Sequence, residues 1–68
     1  MHQIVLKIGP HASEFYFPQN DTGFLGIEEV VMDIVHSEKD AKKASDWCKE
    51  AKVGEKYEQE AFTLEIRA

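Results

Sequence analysis

The stretch Ile27-Glu28-Glu29-Val30-Val31-Met32-Asp33-Ile34-Val35-His36 decides the fold, because it satisfies two periodicities at once. As a helix it places Ile27, Val30, Val31, Ile34 and Val35 on one face at spacings of three and four. As a strand it sets Val30, Met32 and Ile34 opposite Val31, Asp33 and Val35. Two arguments favour the strand. The centre is crowded with β-branched residues, which suit a pleated surface better than a helix, and the segment runs directly into a helix start at Ser37, leaving no turn for a corner between helices. The strand reading, over 28–36, is therefore the expectation; the helical reading, over 27–36, is the alternative.

Downstream the pattern is unambiguous. Ser37 is placed to cap the amide of Asp40, and Glu38 and Asp40 put negative charge in a first turn. Ala41, Ala44, Trp47, Cys48 and Ala51 then recur at helical spacing, with Lys39, Lys42, Lys43, Asp46, Lys49 and Glu50 on the other side. The helix is expected over 38–52, closed by Gly54 in a left-handed cap. Residues 55–60 read as a polar connection. Phe62, Leu64 and Ile66 alternate with polar neighbours in a final strand near 61–67.

Upstream, Ile4, Leu6 and Ile8 alternate with Gln3, Val5 and Lys7 in a strand near 2–8, which Gly9-Pro10 ends. A second strand near 14–17 carries Phe15, Tyr16 and Phe17, so the two make a hairpin. The segment from Pro18 to Gly26 is the long loop, with Phe24 and Leu25 inside it. The expected fold is a single α+β domain over 1–68, ordered β-β-β-α-β: a small, mostly antiparallel sheet with one amphipathic helix on a face. In the alternative, three strands carry two helices.

Composition narrows function by exclusion. Sixty-eight residues with 43% hydrophobic and 31% charged side chains suit one small globular core. Thirteen acidic against eight basic residues give a formal charge of −5, the wrong sign for holding a phosphate backbone or an anionic membrane surface. No apolar run is long enough for a membrane span or a signal core, and a single cysteine, Cys48, cannot staple the chain. A cytoplasmic location is the expectation.

Chemistry is sparsely supported. His2, His11, His36 and Cys48 match no compact metal-ligand spacing. Cys48 lies on the apolar helical stripe with nothing to activate its thiol, and no serine carries a nucleophile signature. No catalytic, cofactor-binding or metal residues are assigned, and no cofactor is expected. Trp47, Ser37, Gly54 and Cys48 are given structural roles, with Trp47 supplying most of the helix's core volume and Tyr57 folding back over the helix end. Phe24, Leu25 and Tyr16 are the candidate interaction residues.

The sequence does not state a function. The expectation it supports is a small acidic, noncatalytic protein-interaction or regulatory module that binds a protein partner or a second copy of itself, without direct nucleic-acid, membrane or small-molecule binding. The alternative is a ligand-binding or enzymatic role, using His36, Tyr16 or Tyr57 at a site formed between subunits.

Overall fold

A computed structural model describes residues 2–9, 13–19 and 26–68. Among these, four strands and two helices follow in the order β1 (Gln3–Ile8), β2 (Ser13–Pro18), α1 (Ile27–Val35), α2 (Glu38–Glu50), β3 (Lys56–Glu58) and β4 (Phe62–Arg67). The strands form one antiparallel sheet in the order β2-β1-β4-β3. Both central strands come from the two ends of the chain, since β1 pairs with β4 from Gln3 opposite Arg67 to Ile8 opposite Phe62. The expected α+β class and antiparallel sheet stand, as do the strands near 2–8, 14–17 and 61–67.

The strand expected over 28–36 is instead helix α1. Its stripe explains the outcome: Ile27 and Val31 are buried, and Val30, Ile34 and Val35 pack against the core, whereas Glu28, Glu29, Met32 and Asp33 are exposed. Burying two apolar side chains and partly burying three more on one face outweighs the weak local preference of β-branched residues for strands. The corner that appeared to lack room needs only two residues. His36 adopts the left-handed conformation, at φ 52° and ψ 36°, and its N–H donates to the carbonyl of Met32 at 2.8 Å. Ser37 is extended, and its Oγ accepts from the amide of Asp40 at 3.3 Å, the cap expected from the sequence.

The fourth strand comes from the segment read as a polar connection. β3 is only three residues long, too short to display a period, and its inward residue Tyr57 stands opposite Leu64. Helix α2 stops at Glu50, with Ala51 as an extended C-cap, so Gly54 is not the helix cap. Gly54 instead sits at φ 94° in the Lys52–Glu55 turn, closed by the Glu55 N–H donating to the Lys52 carbonyl at 3.0 Å. It donates to the Ile66 carbonyl while the Ile66 N–H donates to that of Glu55. Two residues thus oppose one in a bulge whose first position demands glycine.

The core lies between the helices and one face of the sheet. Ile4, Leu6, Phe62, Leu64 and Ile66 meet Ile27, Val31, Ala41, Ala44, Cys48 and Ala51. Leu6, Leu64, Ile66 and Val31 fill the centre, and Trp47, the largest side chain of the α2 stripe, is partly buried at its margin with its ring against Tyr57. Cys48 is 1% exposed, and burial pushes its thiol up to about 12, which keeps it protonated and unreactive while folded.

A tie that the sequence does not reveal anchors the end of α2. The Gln19 Nε2, just past β2, donates to the carbonyls of Cys48 at 3.0 Å and Ala51 at 2.7 Å, satisfying acceptors that a helix leaves unpaired at its C-terminus. Gln19→Ala is expected to lower stability by about 1–2 kcal/mol, read as an earlier urea midpoint at unchanged m-value. A midpoint equal to that of the parent chain would show that water replaces the amide without loss.

Candidate functional site

Side chains of alternate residues point to opposite faces of a sheet, so the helices cover Ile4, Leu6 and Ile8 and leave the other face of the sheet to Gln3, Val5 and Lys7. On that open face the register places Tyr16 and Glu65 on either side of Val5, and Glu14 and Thr63 on either side of Lys7. Val5 is fully buried although no helix covers it. Above it runs a polar network: the Tyr16 hydroxyl donates to Glu14 Oε1, while Glu14 Oε2 lies 3.5 Å from Lys7 Nζ and 3.6 Å from an Arg67 guanidinium nitrogen. That same nitrogen is 3.2 Å from Glu65. Two cations and two carboxylates leave the cluster electrically neutral.

The network moves its titrating groups in opposite directions. The Tyr16 hydroxyl bond is the main reason that the Glu14 carboxyl lies below its ordinary value; desolvation opposes it, and the charges of Arg67 and Lys7 add to the lowering. The same bond, donated by the neutral phenol, raises Tyr16 above the ordinary phenol value. Both shifts lead away from neutrality, the reverse of the poise that acid–base catalysis uses. A raised phenol pKa means that the proton is held more tightly in the folded state. Its contribution to stability is therefore complete below pH 10 and is lost as pH rises past the folded value. Tyr16 is expected to ionise later than a free tyrosine, followed by NMR of its labelled ring carbon, and Glu14→Gln to return it toward the ordinary value. If the titration curve were indifferent to that substitution, the hydroxyl bond would not be its cause.

The backbone of β2 carries the second feature. The Gln19 N–H donates to the His2 carbonyl at 3.0 Å and the Gly9 N–H to the Ala61 carbonyl at 3.3 Å. Because hydrogen-bonded and non-bonded pairs alternate along an antiparallel ladder, these bonds set the phase of the registers. Phe15 and Phe17 bond to Leu6 and Ile4, while the N–H and C=O of Glu14 and Tyr16 point away from the sheet. Pro18, which has no N–H, falls in an outward slot, where proline is tolerated in a sheet. Among the described residues no segment pairs with this outer edge. Phe15, on the helix side, is 45% exposed, and Tyr16, on the open face, is 52% exposed.

The opposite edge is built differently. β3 offers Lys56 and Glu58 to solvent and begins at the Gly54–Glu55 bulge, features that discourage strand pairing.

Of the interaction residues expected from the sequence, Tyr16 lies on this edge, and Phe24 and Leu25 fall outside the described residues. His36 is exposed at the corner of the helical layer, and Tyr57 sits on the helix side of the sheet, its ring 5.4 Å from Trp47 and 6.2 Å from Phe62. Tyr16 faces the other way, so the structure does not bring it together with Tyr57 within one chain. Glu14, Lys7, Arg67 and Phe15 were missed as members of the surface. The Glu14-x-Tyr16 spacing alone signals a shared strand face, whereas Arg67 joins them only through the strand order. Among the described residues no group of three or more His, Cys, Asp or Glu side chains could hold a metal ion, and no helix is long and apolar enough to cross a membrane. In comparisons with known proteins, no family model, no curated protein and no solved structure matches the chain.

Proposed function

We propose that the chain is a noncatalytic protein-interaction module acting in the cytoplasm, and that its contact element is the outer edge of β2. One observation carries this reading: two large aromatic side chains, Phe15 and Tyr16, stand half-exposed on opposite faces of a strand whose main-chain groups at Glu14 and Tyr16 point outward. An edge of this kind adds affinity through main-chain hydrogen bonds and selectivity through the flanking side chains. The acidic excess of the whole chain argues against nucleic acid as the partner.

The test is photo-crosslinking in cells, with a benzophenone amino acid at position 15 or 16 and, as control, at Val53. Val53 is similarly exposed, at 46%, but precedes β3 at the far edge of the sheet. Discrete protein adducts are expected from positions 15 and 16 and not from 53. No adducts from β2, or the same adducts from all three positions, would defeat the reading.

A further inference from the structure

We infer that the partner of β2 is β2 of a second copy, paired antiparallel about a two-fold axis through Phe15. This rests on the reading of β2 as the contact element and goes further by identifying what binds there. The outward-pointing groups belong to Glu14 and Tyr16, which flank Phe15. A two-fold at Phe15 sets Glu14 of each copy opposite Tyr16 of the other, and each such pair exchanges two main-chain bonds. The arrangement is self-complementary, as an interface between identical chains must be. It also keeps the pleats in phase, so the helix side of one copy continues into the helix side of the other.

The side chains fit that register. Phe15 meets Phe15 of the second copy at a non-hydrogen-bonded site, where Cα atoms approach to about 4.5 Å and side chains are closest. The Tyr16 side chain comes opposite Glu14 on the open face rather than opposite another carboxylate. Proline at position 18 ends the ladder, since its outward slot has no donor.

Charge decides between a second copy and a basic protein. A chain at −5 repels its own kind unless the surfaces that meet are neutral. At this edge they are, because Glu14 is matched by Lys7 and Arg67. Unmatched acid lies elsewhere, as on α1, where Glu28, Glu29 and Asp33 occur with no basic residue in the helix. A basic partner would be drawn there and would find no free carboxylate on β2. The short, bulged and polar β3 disfavours head-to-tail growth from the other edge.

Sedimentation equilibrium of the purified chain from micromolar to millimolar concentration provides the test, alongside two altered forms. In one, made by chemical synthesis, the Tyr16 amide nitrogen is methylated, which deletes an outward donor without touching the β1 ladder; in the other, Phe15→Lys sets two cations face to face at the axis. The parent chain is expected to dimerise, and each altered form, folded by circular dichroism, to weaken the dimer by at least about tenfold. A parent chain that stays monomeric throughout, or a dimer that both altered forms leave intact, overturns the inference. Should either form fail to fold, the other decides. A monomeric parent chain that still gave protein adducts from positions 15 and 16 in cells would refute the second copy and leave the interaction reading standing; loss of both would remove both.

Discussion

Leu64→Ala is expected to bring the domain close to unfolding. Leu64 is fully buried on the helix side of β4, with Leu6 opposite it on β1 and Tyr57 opposite it on β3. Emptying that position removes apolar burial and leaves a void under the helices, at a cost of about 2–5 kcal/mol. A chain of this length has a total stability on the order of 3–10 kcal/mol. Cys48 is a built-in reporter, since its buried thiol reacts only from an opened state. Its alkylation should accelerate by roughly 30-fold or more. Trp47→Ala should cost less, at about 2 kcal/mol, because that ring is only partly buried, at the margin of the core. If Trp47→Ala proved the more damaging of the two, the core would be centred elsewhere.

Ala44→Leu is expected to be the other severe change, for the opposite reason. Ala44 has no exposed surface and lies on α2 with Ala41, Cys48 and Ala51 in a stripe of small side chains facing the core. Small residues let the helix backbone come close to what it packs on, so three added carbons have nowhere to go and force the helix outward. Overpacking of this kind costs about 1–3 kcal/mol. Thermal unfolding measures it against Ala44→Ser, which preserves the volume more nearly. A higher melting temperature for the leucine variant would mean that a void lies beneath the stripe.

The parts of the fold that the sequence makes legible are those with one dominant period. β1, β4 and α2 each repeat an apolar position often enough that no second pattern competes. α1 is different: Val30, Val31, Ile34 and Val35 fit both periods, and only packing against Ile27 and the core separates them. The corner at His36 was hidden because a left-handed histidine carries no signal comparable to a glycine there. β3 escaped because three residues hold no period at all. For the surface, Tyr16 was readable as an aromatic on a short strand, yet its neutral surroundings were not. Arg67 reaches Glu14 across β1, a neighbourhood that exists only once the strand order is known.

Placing β1 and β4 side by side in the middle of the sheet has a bearing on how the protein is made. During synthesis on the ribosome the first strand emerges long before its main neighbour is translated. Until Phe62–Arg67 are free, the nascent chain can close a hairpin and an αα-corner but has nothing to seat them on. Such long-range closure slows folding relative to helical domains of similar size, and a chain stalled before Phe62 would present its aromatic hairpin bare, a natural substrate for chaperones and proteases.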